Sequence, residues 1–209
     1  MANSDRLTMT ASMVRALCYA DVFEYPLTRQ EMEKYQIANS KYQNDISKIK
    51  KMNEYRLHSK DDYYFLSGRE ELISVKGQRI IYSQNKLMIA RKIAGYLKLI
   101  PTIQMVAVTG ALAMRNAKRD DDIDFLIVTK SGTVWTTRLL SIVITELLGV
   151  RRRPNDTTFS DKVCLNMFID ENHMEIPKHE QDLFSAHEVV QVKVLWSKEG
   201  IAERFFGRK

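Results

Sequence analysis

Asp122 and Asp124 flank a single apolar residue in the run Asp122-Ile123-Asp124-Phe125-Leu126-Ile127-Val128. In an extended strand the side chains alternate between faces, so the two carboxylates share one face while Ile123 and Phe125 turn to the other. Paired oxygen donors suit a hard divalent cation, Mg²⁺ or Mn²⁺, which takes one or two protein carboxylates and completes its shell with water and phosphate oxygens. An acidic pair by itself is more often a solvated strand end, and its context sharpens it. Upstream, Gln104-Met105-Val106-Ala107-Val108-Thr109 reads as a buried strand closed by Gly110, and Thr109-Gly110-Ala111 is small enough for backbone amides to come close to a phosphate. Lys118 and Arg119, between that turn and the carboxylates, are the candidate charge partners of the same phosphate.

The elements that must position these groups follow from periodicity. The acidic strand, 123–128, is apolar on both faces, as a strand covered on both sides is. An amphipathic helix is expected from beyond Gly132 to Leu148, then a basic loop, Arg151-Arg152-Arg153-Pro154, ordinarily solvated but able to hold a nucleic-acid or nucleotide phosphate, a strand over 162–169 and a closing helix over 182–196. Residues 102–209 thus read as an α/β domain with mixed strands. A long helix, about 78–99, ends before Pro101 and makes 76–101 a connector. Ahead of it, a short helix over 13–23 stops before Pro26, and Thr28-Arg29-Gln30-Glu31 has the form of a capping box opening a second helix. A third helix is expected over 41–52, with Tyr42, Ile46, Ile49 and Met52 inward and Lys41, Lys48, Lys50 and Lys51 outward. Tyr55-Arg56-Leu57-His58 and Tyr63-Tyr64-Phe65-Leu66 read as a β-hairpin. Three short helices and a hairpin are the layout of a winged helix, here residues 1–75, so the expected class is α+β.

The 209 residues, 44% of them hydrophobic, suffice for two small cores. Cys18 and Cys164 are far apart and form neither a disulfide framework nor a zinc-spacing pair, which fits a reducing cytoplasm. No apolar run reaches the roughly 18 residues of a membrane span. Asp5 and Arg6 at the start, with no apolar stretch, do not read as a signal peptide. The net charge of +6 is compatible with a polyanion but does not require one. His58, His173, His179 and His187 show no metal-ligand spacing.

The strand, the Gly110 turn, the polar stretch and Asp122-Ile123-Asp124 together resemble the signature of the polymerase-β-like nucleotidyltransferase superfamily. There a glycine with serine or glycine precedes an acidic-apolar-acidic strand start. The chain is also similar, over about 16–196, to a group of prokaryotic nucleotidyltransferase-domain proteins, through Val108-Thr109-Gly110-Ala111-Leu112-Ala113-Met114, Trp135-Thr136-Thr137-Arg138-Leu139, Cys164-Leu165-Asn166-Met167-Phe168 and Ala186-His187-Glu188. The resemblance implies that Asp122 and Asp124 hold Mg²⁺, that a nucleoside triphosphate is the substrate, and that Thr109, Gly110, Ala111, Lys118 and Arg119 line its phosphates. An acceptor hydroxyl would attack the α-phosphate and release pyrophosphate.

In that family a third carboxylate comes from a neighbouring strand. The matching strand, 162–169, has no acid, and Asn166, with the parity of Cys164 and Phe168, takes the position, flanked by Asp161 and Asp170. Ala111 stands where serine or glycine is usual. Both departures keep a second reading open, a catalytically impaired fold that binds nucleotide or nucleic acid. The acceptor, whether small molecule, RNA or protein, is left open. Because the third helix offers lysines and no arginine, the N-terminal module is expected to serve the transferase site or a homodimer contact, with duplex binding weak, salt-dependent and blind to sequence. A DNA-binding regulator with an α/β ligand module is the remaining rival.

Overall fold

The computed structural model describes residues 11–40, 57–177, 179 and 183–207. The fold is mixed α+β and divides into two compact units, residues 1–76 with 182–190, and residues 77–181 with 191–209. The helix expected over 41–52, with its four lysines, lies outside the described residues.

In the first unit, α1 (Ala11–Val22), β1 (Leu27–Thr28), α2 (Arg29–Ser40), β2 (Leu57–Lys60) and β3 (Tyr63–Leu66) follow one another. The strands form an antiparallel sheet of order β1-β3-β2. Asp61 and Asp62 turn the hairpin with φ of 53° and 63°, and positive φ at both central residues gives a two-residue turn the twist of its strands. The capping box forms as its spacing predicts. The Glu31 amide donates to Thr28 Oγ1 at 3.3 Å, and the Thr28 amide donates to Glu31 Oε2 at 2.8 Å.

Glu31 also closes a buried polar knot. The Tyr25 hydroxyl donates to it, and the Lys76 ammonium, 4% exposed, pairs with it at 3.1 Å. Lys76 Nζ donates to the Pro26 carbonyl at 2.9 Å and lies 3.8 Å from the centre of the Tyr25 ring. Burial alone would raise the Glu31 carboxyl, but Lys76, the Thr28 amide and the Tyr25 hydroxyl outweigh it and hold the group below its ordinary 4.5. The folded state therefore takes up this proton less readily than the unfolded chain. Stability from Glu31 is complete above its ordinary value and is lost as pH falls through the lower folded one. Glu31→Gln should melt below wild type at pH 7, and the gap should narrow as pH falls below the ordinary 4.5; thermal unfolding across pH measures it, and a gap independent of pH would contradict the assignment.

Helix α3 (Leu72–Leu97) starts in the first unit, and from Gly77 onward it belongs to the second. Then come β4 (Ile103–Val108), α4 (Gly110–Ala113), β5 (Ile123–Thr129), α5 (Val134–Leu147), β6 (Val163–Asp170), α6 (Leu183–Gln191), β7 (Lys193–Ser197) and α7 (Ile201–Gly207). Of these, α6 up to Val190 groups with the first unit. The second sheet has the order β6-β5-β4-β7; β5 and β6 are parallel and the other pairs antiparallel, so it is mixed.

The closing helix expected over 182–196 ends at Gln191, and Lys193–Ser197 pairs with β4 instead, Trp196 opposite Val106. Without it, β4 would present an edge of unpaired amides and carbonyls. Val194, Leu195 and Trp196 suit a strand, and a short apolar run cannot be assigned by periodicity alone.

Leu87, Ala90, Ile93, Ala94 and Leu97 of α3 pack with Ile103, Val106 and Val108 of β4, Ile123, Phe125 and Ile127 of β5, and Val163. Full burial of such a side chain contributes about 1.5–3 kcal/mol, so α3 is a wall of this core. Helix α5 packs against β6, and its buried side chains are Thr137, Ser141 and Thr145, each 0% exposed. Ser141 Oγ donates to the Thr137 carbonyl and Thr145 Oγ1 to the Ser141 carbonyl, both at 2.8 Å, so these buried hydroxyls are satisfied within the helix. Among the described residues, no helix is long and apolar enough to cross a membrane.

Candidate metal centre

Full burial of Ile123 and Phe125 fixes the orientation of the start of β5 and sends the alternate positions, Asp122 and Asp124, to the other face. The parallel pairing with β6, held by the Ile123 amide on the Lys162 carbonyl at 2.8 Å, puts Cys164 in register with Asp124. One ligand atom from each of Asp122, Asp124 and Cys164 lies within 4.8 Å of the others, a group able to hold a metal ion. Burial first, and the Asp122 carboxylate next, raise Asp124 above its ordinary 3.8, while the Cys164 thiol donating to it and Arg152 offset part of that. The thiol is pushed up to about 11, by burial and then by Asp124. Two carboxylates crowded against a neutral sulfur form an anionic, partly desolvated site that a divalent cation would relieve.

Backbone comes close on the same side. Gly110 has φ of +60°, and a Cβ built there would lie 3.7 Å from Asp124 Oδ2, while the Thr109 amide donates to the Asp124 carbonyl at 3.1 Å. A side chain at Gly110 would be strained in this conformation and would sit against the carboxylate.

Of the basic loop, expected to be solvated or to hold a phosphate, Arg152 is the residue that lies at the site. Its Nη1 lies 2.6 Å from Asp122 Oδ2, and its guanidinium sits 4.7 Å from the centre of the Phe159 ring. Arg151 and Arg153 turn elsewhere, clamping Glu146 at 2.7 and 2.6 Å, and Arg153 then Arg151 pull that carboxyl down to about 2. The signal was available, since in extended backbone the outer two of three arginines share a side and the middle one opposes them.

A second contribution comes from the buried polar face of α3. Arg79 Nη1 donates to Asn116 Oδ1 at 3.1 Å, and Ser83 Oγ accepts from the Ala117 amide at 3.0 Å. The Lys86 ammonium, 2% exposed, donates to the carbonyls of Arg119 at 2.9 Å and Asp121 at 2.7 Å, and to Asp161 Oδ1 at 2.8 Å. These residues recur at four- and three-residue steps on one helix face and pin the loop that delivers Asp122. Polar positions on a helix ordinarily mark a solvated face, so nothing local in the sequence marked them as buried.

Thr109 is buried, whereas Ala111 is exposed. Lys118 and Arg119 are exposed in the loop before the carboxylates; the Lys118 amide donates to Asp121 Oδ2 at 2.7 Å, and the Arg119 carbonyl also accepts from Ser160 Oγ at 2.9 Å. Asn166 lies at a β-bulge. Cys164 pairs with Asp124 but Met167 with Leu126, so three residues of β6 span two of β5. The common parity expected for Cys164, Asn166 and Phe168 therefore breaks. Phe168 packs with Val163 and Leu165 on the core, and Asn166 is exposed. Asp161 is taken by Lys86, and Asp170 accepts from the Gly132 amide at 2.8 Å and the Asn172 amide at 2.9 Å. The side chain of His187 lies outside the described residues. Comparison with protein-family models, with curated proteins and with solved structures returned no match.

Proposed function

We propose that the second unit is a metal-dependent nucleotidyltransferase of the polymerase-β-like kind, moving a nucleoside monophosphate from a nucleoside triphosphate to an acceptor hydroxyl. The observation that carries this reading is the convergence of Asp122 and Asp124 on one face of β5, beside the side-chain-free backbone of Gly110. The donor set fits Mg²⁺ or Mn²⁺, with Asp122 and Asp124 as its protein ligands. When bound, the cation supplies positive charge to the triphosphate and to the departing pyrophosphate. Gly110 leaves room for phosphate oxygens against the Asp124 edge, and Lys118 and Arg119 stand on the exposed loop as further cationic contacts. Arg152, released from Asp122, pairs with phosphate through its planar fork. The acceptor oxygen bonds to the α-phosphorus, the bond to the bridging oxygen breaks, pyrophosphate leaves, and the hydroxyl proton passes to water. For the first unit, α1 and α2 with the β1-β3-β2 sheet support a winged-helix-like module.

One observation favours a second reading, binding of nucleotide without turnover. Cys164, and no carboxylate, faces Asp124 across the strands, so the position offers a soft sulfur where a hard divalent cation takes oxygen. Thermal unfolding with each nucleoside triphosphate, with and without Mg²⁺ or Mn²⁺, tests both readings, because a ligand bound only by the folded state raises the melting temperature. Metal-dependent protection with pyrophosphate release supports the transferase. Protection without release supports the second reading, and no protection overturns both.

Arg152 yields a separate expectation. It competes with a cation for Asp122 and assists a triphosphate, so Arg152→Ala should tighten binding of Mn²⁺ alone and weaken binding of the Mn²⁺-triphosphate complex, the latter by about tenfold or more. Calorimetric titration measures both, and a change of the same sign in both would contradict the role.

A further inference from the structure

Helix α5 is built inside out. Its fully buried side chains are the small hydroxyl residues Thr137, Ser141 and Thr145, with Ile144 half-buried against the core, while Trp135 is 80% exposed, Leu139 61% and Leu147 82%. Leu140, Val143 and Leu148 are exposed beside them. Trp135, Leu139, Val143 and Leu147 recur at every fourth residue and form one ridge along the helix. A helix of a monomeric domain ordinarily turns such a stripe inward. The exposed apolar residues of α3 do not compare, since Ile81 and Met88 are separated by the exposed polar Gln84 and Asn85.

The stripe offers no charge for a charged partner. The two charged side chains of α5 are engaged on their own chain, Arg138 over the Phe168 ring at 5.4 Å and Glu146 with Arg151 and Arg153. The surface that complements an uncharged ridge of this length is another like it. Ridges of every fourth residue interdigitate when two helices cross at about −50°. Complete burial of the six exposed apolar side chains of α5 would remove at most roughly 600 Å² per chain, about 1,200 Å² for a pair, which is the lower bound of stable, specific interfaces. We infer that α5 is the contact surface of a homodimer, packing on α5 of a second copy across a twofold axis near its midpoint.

Sedimentation equilibrium of the full chain between about 1 and 100 μM, a range spanning ordinary homodimer affinities, tests this. Wild type is expected to be a dimer. Leu139→Glu with Leu147→Glu is expected to be a monomer with unchanged circular dichroism, its dimer dissociation constant raised about a hundredfold or more. Leu139→Ser with Leu147→Ser serves if the glutamates impair folding. Met88→Glu, on the exposed face of α3, should leave the dimer intact. A monomeric wild type, including one that gathers on lipid vesicles instead, overturns the inference. So does a dimer that survives the α5 substitutions or is lost equally with Met88→Glu.

Discussion

Converting Asp122 and Asp124 together to asparagine should abolish Mg²⁺-dependent triphosphate binding while the protein stays folded. Both carboxylates are half-buried on the face of β5 opposite the Ile123 and Phe125 anchors, and asparagine keeps their size, so the substitutions remove two anionic ligands without opening the core. A loss of at least a hundredfold in affinity is expected, about 2.7 kcal/mol. The apo protein should respond in the opposite sense to Asp124→Asn alone. Burial and Asp122 raise the folded Asp124 carboxyl above its ordinary 3.8, so the folded state binds that proton more readily than the unfolded chain. The charged group then costs stability at neutral pH, and the cost disappears as pH falls through the raised value. Asp124→Asn should therefore melt higher than wild type at pH 7 without metal, a difference that thermal unfolding across pH measures. A site that is more stable when disabled is one held against its own electrostatics for a ligand. Full triphosphate binding by the double variant would remove the site assignment.

Lys86→Met should be the most damaging single substitution on α3. It removes the ammonium from the Arg119 and Asp121 carbonyls, which keep only the Ser160 hydroxyl at 2.9 Å and the Asp161 amide at 3.2 Å, and it leaves the Asp161 carboxylate without its partner, at a site where the ammonium is 2% exposed. The cost should be about 3 kcal/mol, set by the loss of two charge-assisted bonds to buried carbonyls more than by Asp161, which is half-exposed and can rehydrate. That corresponds to a fall in melting temperature of about 10 °C. Asp161→Asn, which keeps both carbonyl bonds to Lys86, should cost under about 1 kcal/mol. Because the loop from Asn116 to Asp122 hangs on Lys86, Ser83 and Arg79, Lys86→Met should also speed amide hydrogen exchange over 117–122 while leaving exchange in β4 near wild type. Equal losses from the two substitutions would assign the effect to the ion pair alone.

Features that depend on neighbours along the chain could be read from residue types and spacing. Thr28 and Glu31 are three residues apart, so one helical turn is enough to bring the hydroxyl and carboxylate onto each other's amides. Asp122 and Asp124 share a face because a strand alternates, with Ile123 and Phe125 anchoring the other side. Gly110 takes a positive φ where a glycine was expected to let backbone approach. What depends on partners distant in sequence was decided only by the tertiary structure. Cys164, and not Asn166, meets Asp124 because the parallel register sets the first pair and a bulge then reverses the parity beyond it. A single strand carries no mark of a residue inserted relative to its neighbour. Lys193–Ser197 became an edge strand because β4 had an open side, a fact about the sheet and not about that segment. Lys86 and the hydroxyls of α5 are buried against expectation for the same reason. Polar residues choose the interior only where acceptors wait, and the carbonyls of Arg119 and Asp121 reach Lys86 through chain folding across more than thirty residues.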